Sequence, residues 1–220
     1  MIKFFVRTTL ERELDISYNQ IDFELLIDTE HKPVESFINQ LEQISAYDAV
    51  LLEDDLLLCN NFKEGIEEVI RNHPNEIIQF YTKPSSYFTS HYSQAFVYNQ
   101  CTYYPKGIGK ILATEMRLYN DSVSGYDLIE NKAIHKLRLY IYIYRPCLVQ
   151  HIDNFSLIGK SKVYATDRIT PYFKDYLDKY NIDYNNPSKV FANLDKLNHE
   201  KEEFINQIKT DAYRTSERHK

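Results

Sequence analysis

The fold of this chain turns on one run: Asp48-Ala49-Val50-Leu51-Leu52-Glu53-Asp54-Asp55. An unbroken apolar stretch with no polar alternation predicts a strand covered on both faces, as in a parallel or mixed sheet. Three carboxylates at the end of such a strand are costly, because like charges in a cleft repel and lose hydration. A divalent cation relieves both costs. Mg2+ or Mn2+ takes oxygen ligands, commonly one or two carboxylates, and completes its shell with water and phosphate oxygens. Open α/β sheets also bind their ligands at the carboxyl ends of strands. The ordinary alternative is a solvated acidic turn. The buried strand these acids abut weighs against it.

Outward from this run, strands and helices alternate. Ile2-Lys3-Phe4-Phe5-Val6-Arg7-Thr8 predicts another central strand, and residues 23–28 predict a third that ends on Asp28. Pro33 suits a helix start, with Phe37, Ile38, Leu41 and Ile44 at helical spacing. Asn61 is expected to cap a helix carrying Phe62, Ile66, Val69 and Ile70. Residues 77–81 and 95–98 predict short strands, separated by a polar, aromatic loop over 83–94. Pro105 opens a helix through Ile108, Leu112 and Met116, Asp127 stands near the start of a further one, and 139–144 is β-rich. The expected class is α/β: an open mixed sheet, parallel in its first part, with helices on both faces.

Composition sets further bounds. At 220 residues the chain has room for one domain and an appendage. Residues 1–160 carry 15 basic and 22 acidic residues, a net −7, whereas 161–220 carry 11 and 10, a net +1. The expected division is a catalytic domain over 1–160 and a helical C-terminal extension over 161–220. No run approaches the ~20 apolar residues of a membrane span, and the charged residues from Arg7 onward leave too short a stretch for a signal peptide. A cytoplasmic protein is expected. Cys59, Cys101 and Cys147 make neither a disulfide framework nor a zinc pattern. The overall charge of −6 argues against coating nucleic acid by charge alone. With neither GxGxxG nor a Walker loop, dinucleotide binding and P-loop hydrolysis have no support.

The LLEDD run resembles the acidic metal-binding motif of GT-A-fold glycosyltransferases, usually written DxD and often found as EDD. Further on, Arg145-Pro146-Cys147-Leu148-Val149-Gln150-His151-Ile152-Asp153-Asn154-Phe155-Ser156-Leu157-Ile158-Gly159 is similar to the PSLVQHIG…SSLG segment late in several GT-A domains, including enzymes that branch N-glycans and phage or bacterial relatives. Cys147 stands where that pattern usually has Ser, and Asp153 where it has Gly. The resemblance spans residues 1–160 and implies a GT-A-like sheet.

Carried over, it implies that Asp55 coordinates the metal and that Glu53 or Asp54 orients the ribose or binds through water. His151 would be a late metal or diphosphate contact, and an imidazole points to Mn2+ at least as much as Mg2+. The alternative for His151 is a hydrogen-bonded structural histidine. At the end of the first strand, Arg7, Thr8 and Thr9 would meet the nucleotide, with Asp28 a comparable candidate. An ordinary polar strand end explains the same residues. Asp127, in Ser124-Gly125-Tyr126-Asp127, is the candidate base of an inverting transfer, with Asp121 and Glu130 in reserve. An acid in a helix's first turn is its structural alternative.

The implied reaction moves a sugar from a nucleotide-sugar, with UDP the expected nucleotide, to the hydroxyl of a glycan or a modified DNA base. Two rivals stand beside it: a metal-dependent nucleotidyltransferase or phosphohydrolase, and a non-catalytic nucleotide-sugar binding module. Tyr87, Phe88, His91, Tyr92, Tyr103 and Tyr104 are candidates for an acceptor surface, against the alternative that they fill the core. Lys160, Lys162, Arg168 and Lys174 are candidates for meeting a polyanion, or else an ordinary solvated face.

Overall fold

The computed structural model describes residues 1–9, 11–29, 32–82, 90–96, 99–119, 125–151, 173–179, 181 and 183. Seven strands make the main sheet: β1 (Ile2–Thr8), β2 (Phe23–Ile27), β3 (Asp48–Glu53), β5 (Ile77–Gln79), β6 (His91–Ser93), β7 (Cys101–Tyr104) and β8 (Ile141–Ile143). Their spatial order is β2-β1-β3-β7-β5-β8-β6. β2 and β3 flank β1 in parallel, and β7 runs antiparallel to both β3 and β5. β8 is parallel to β5, and β6 closes the far edge antiparallel to β8. β1, β2, β3, β5 and β8 therefore end on one edge of the sheet. The class expected from sequence, an open mixed α/β sheet parallel in its first part, is the one found.

Period-two alternation splits the strands between two apolar layers. Phe4, Val6, Val50 and Leu52 face one side, where α2 (Phe62–Asn72) covers them with Phe62, Ile66 and Ile70. Phe5, Ala49 and Leu51 face the other, under α1 (Pro33–Ile44), α3 (Ile108–Arg117) and α4 (Tyr126–Lys136). Burying each large apolar side chain contributes about 1.5–3 kcal/mol, which is why Ala49–Leu52 of β3 are apolar on both faces. Helices α1 and α3 meet at Gly109, where an added Cβ would lie 2.2 Å from the Leu41 carbonyl oxygen. No side chain fits there.

Four expectations need correction. The strand predicted over 95–98 is not at 95–96, and 97–98 lie outside the described residues; the strand is β7, Cys-Thr-Tyr-Tyr. Its apolar signal is weak because Thr102 sits in a fully buried position, and burial is tolerated because its hydroxyl donates to Asn99 Oδ1. Tyr103 and Tyr104 are consequently core and no acceptor surface: each is 1% exposed, and their hydroxyls donate to the Pro74 carbonyl and to Glu130, each at 2.8 Å. Asn61 does precede α2, but in the left-handed region at φ 57° and without a side-chain cap. The Phe62 N–H donates instead to Gln20 Oε1 at 3.3 Å. Tyr87, Phe88 and most of the predicted loop over 83–94 lie outside the described residues, and 91–93 of it is β6.

Within the expected C-terminal extension, α5 (Lys174–Lys179) is described. It packs on the layer under α2, with Phe173, Tyr176 and Leu177 each 1% exposed. Phe173 bridges to Cys147, and Asp175 accepts from the Asn60 N–H at 3.2 Å. Lys174 pairs with Asp178; Lys160, Lys162 and Arg168 are outside the described residues. The three cysteines are buried and free. Among the described residues no helix is long and apolar enough to cross a membrane.

Candidate metal centre

Two pieces of backbone register assemble the centre. In the main sheet Glu53 lies opposite Arg7, at the carboxyl ends of β3 and β1. A second, two-stranded sheet then follows the acids: β4 (Leu56–Leu58) pairs antiparallel with β9 (Val149–His151), Leu56 opposite His151. That register sets His151 Nε2 3.3 Å from Asp55 Oδ2. One potential ligand atom from each of Glu53, Asp55 and His151 falls within 4.8 Å of the others. An ion with ligands at about 2.0–2.3 Å holds opposite donors about 4–4.6 Å apart, so this donor set could hold a metal ion with slight closure.

The acids are crowded and short of water. Asp54 is 6% exposed, Asp55 5% and His151 4%. Burial raises the Glu53 pKa and the Asp55 charge raises it further, against Arg7, Tyr126 and His151. Asp54 is raised by the same two causes, against Arg12 and a hydrogen bond from Thr8. Arg12 answers the crowding directly: its Nη1 is 2.9 Å from Asp54 Oδ1 and 2.6 Å from Asp55 Oδ2. Burial alone would lower the Arg12 pKa, but Asp55 and Asp54 outweigh it and the net shift is upward. The polypeptide thus spends one cation on each end of the triplet, with Arg7 3.5 Å from Glu53.

Sequence comparisons add nothing to this geometry. No protein-family model and no curated protein matches the chain. Among solved structures, the crystal structure of A197 from STIV is similar at a TM-score of 0.42 and 12% identity, over 70% of this chain and 86% of that one. A likeness of that size assigns no chemistry.

The other predicted residues fall around the cluster unevenly. Arg7 is heavily engaged: its Nε donates to Gln40 Oε1 at 2.8 Å, and its guanidinium carbon lies 4.7 Å from the Phe37 ring and 4.4 Å from the Tyr126 ring. Its Nη1 lies 3.5 Å from Glu53 Oε1. Thr8 is buried, and its carbonyl accepts from the Asp28 N–H at 2.8 Å, which fastens the end of β2 beside β1. The Thr9 hydroxyl is buried with no hydrogen bond among the described residues. Asp28 accepts from the Lys32 N–H at 3.4 Å, as an acid leading into α1 does. Asp127 occupies the first turn of α4, its Oδ1 accepting from the Leu128 N–H at 3.0 Å. It is partly exposed and lies outside the cluster, one residue from Tyr126, whose hydroxyl donates to Glu53. Asp121 and Asp153 are outside the described residues.

Arg12, Tyr18, Gln40 and Tyr126 join the site without any sequence expectation. Tyr18 belongs to a 3-10 turn over Ile16–Gln20 and donates to the Glu53 carbonyl. One signal could have found Arg12: three clustered acids demand a cation, and Arg12 lies in the segment leaving the neighbouring strand.

Glu130, the reserve base, is buried away from the cluster, accepting from Tyr104 at 2.8 Å and from Asn99. Burial raises its pKa from 4.5 to about 8. Between those values the folded chain keeps a proton that the unfolded chain has lost. This group's stabilising share is therefore full below pH 4.5 and fades as the pH rises to about 8. Thermal melts from pH 5 to 8 should fall more steeply for the wild type than for Glu130→Gln. Parallel slopes would remove Glu130 from the account.

Proposed function

We propose that this chain is a metal-dependent glycosyltransferase, moving a sugar from a nucleotide-sugar, with UDP the expected nucleotide, to an acceptor hydroxyl. The supporting observation is the convergence of Glu53, Asp55 and His151 at the carboxyl edge of the sheet. Two carboxylates and an imidazole suit Mn2+ or Mg2+ with positions left for phosphate oxygens. The two-metal rival, a nucleotidyltransferase or phosphohydrolase, needs more carboxylates, and among the described residues neither Asp28 nor Asp127 belongs to the cluster. The GT-A resemblance of LLEDD and of the His151 segment supplies the reaction class.

When bound, the ion neutralises charge developing on the leaving diphosphate. The chain's own part is position and proton transfer. Asp55 and His151 are held against each other by the β4–β9 register, and Glu53 is fixed by Tyr126 and Arg7. Thr8 and Thr9, at the end of β1, stand where the nucleotide approaches. Asp127, on the first turn of α4, is the group that takes the acceptor's proton as the hydroxyl oxygen attacks and the bond to the diphosphate breaks. The acceptor is a glycan or a hydroxylated DNA base.

A thermal-shift screen of nucleotide-sugars with and without Mn2+ tests the reading. One nucleotide-sugar should raise the melting temperature only when Mn2+ is present, and slow donor hydrolysis should accompany it. Stabilisation without hydrolysis would favour the non-catalytic binding module. Stabilisation by nucleoside triphosphates alone would favour the nucleotidyltransferase.

A further inference from the structure

Arg12 does more than balance charge at the acid triplet. Its Nη1 spans Asp54 Oδ1 and Asp55 Oδ2, and Asp55 Oδ2 is also the atom that faces His151 Nε2. One carboxylate of the candidate donor set is therefore already held by a positive charge. The Arg12 side chain is 16% exposed, against 6% and 7% for the side chains of Asp54 and Asp55, so it lies nearer to solvent than its partners. The segment that carries it is anchored just downstream. Ser17 Oγ accepts from the Leu58 N–H at 3.0 Å, and Tyr18 holds the Glu53 carbonyl. An exchange of partners by Arg12 thus leaves the 3-10 turn and the acid strand in place.

We propose that Arg12 is an exchangeable counter-cation: a divalent ion takes Asp55 from it, and the released guanidinium passes to the diphosphate of the incoming nucleotide. This rests on the metal-dependent reading above and adds an order of events to it. Metal entering alone must take Asp55 from an arginine that bridges two buried carboxylates and leave the guanidinium with Asp54 alone, so metal alone binds weakly. A diphosphate offers the guanidinium a bidentate acceptor in the place of Asp55. Metal and nucleotide then bind cooperatively, each raising the other's affinity by one and the same factor. In the absence of both, Arg12 keeps two buried acids from facing each other uncompensated.

Calorimetric titration of Mn2+ into the full chain, with and without UDP, tests the exchange in wild type, Arg12→Gln and Arg12→Lys. Arg12→Gln should bind Mn2+ alone roughly tenfold tighter or better, the scale of a typical coupling between sites. UDP should tighten Mn2+ binding markedly in the wild type and little in Arg12→Gln, while Arg12→Lys stays close to wild type in Mn2+ affinity. Equal Mn2+ affinity in wild type and Arg12→Gln overturns the exchange and leaves the metal centre standing. Mn2+ binding to neither overturns both. Should Arg12→Gln be unfolded without metal, circular dichroism takes over: refolding on Mn2+ addition supports the exchange, and failure to refold overturns it.

Discussion

Asp55→Asn is expected to lose metal-dependent turnover by more than about 100-fold, since removing even a partner that merely orients a metal ligand costs about 10–100-fold. The amide keeps the shape and loses the charge that both His151 and Arg12 face. Breaking one side of a buried ion pair costs on the order of 3–5 kcal/mol, and each kcal/mol lowers the melting temperature of a domain this size by about 2–4 °C. Activity is therefore to be measured below the variant's own transition, with far-UV circular dichroism confirming the fold. Mn2+ should no longer raise its melting temperature. Asp54→Asn provides the contrast: Asp54 touches Arg12 but lies outside the cluster, so its loss should cost much less turnover. A folded Asp55→Asn with full metal-dependent turnover would take the acid motif out of the chemistry.

Asp127→Asn carries the second large effect. Loss of a general base lowers turnover by about 10²–10⁴-fold, and that fall is expected with donor affinity little changed. Asparagine can still accept the Leu128 N–H through its Oδ1, so α4 keeps its start. Removing a negative charge from a helix's first turn costs only about 0.3–1 kcal/mol. Turnover and donor binding thus separate cleanly. If donor affinity collapses with turnover, Asp127 belongs to the nucleotide site; if neither changes, it is only the first-turn acid that its hydrogen bond already makes it.

Hydrophobic pattern made β1 and β3 legible as unbroken apolar runs, and α1, α2 and α3 legible through their helical spacing. It could not reveal β4 or β9. Leu56–Leu58 and Val149–His151 are three residues each, too short for a period, and their pairing is a tertiary fact. β7 escaped for a different reason: Thr102 is polar, and its burial depends on Asn99, which no local pattern discloses. In the site, the triplet Glu53-Asp54-Asp55 was plain from charge against apolar context, while His151 was reachable only through family resemblance. Arg7 was read as facing a nucleotide, but Phe37, Gln40 and Tyr126 engage it from helices that begin 26 and 119 positions later (Pro33 and Tyr126). Contacts of that separation leave no trace in a strand's own sequence.

The short β4–β9 ribbon joins chain positions about a hundred residues apart. A cation gripped by Asp55 on one side and His151 on the other would act as a removable cross-link. Unlike a disulfide, it would not persist in the unfolded ensemble, where Asp55 and His151 are not assembled, and would stabilise by binding the folded chain alone. Occupancy and folding would then be one linked equilibrium: added ion would raise the melting temperature by mass action, and a chelator would lower it. During synthesis that link could not close until His151 had been made.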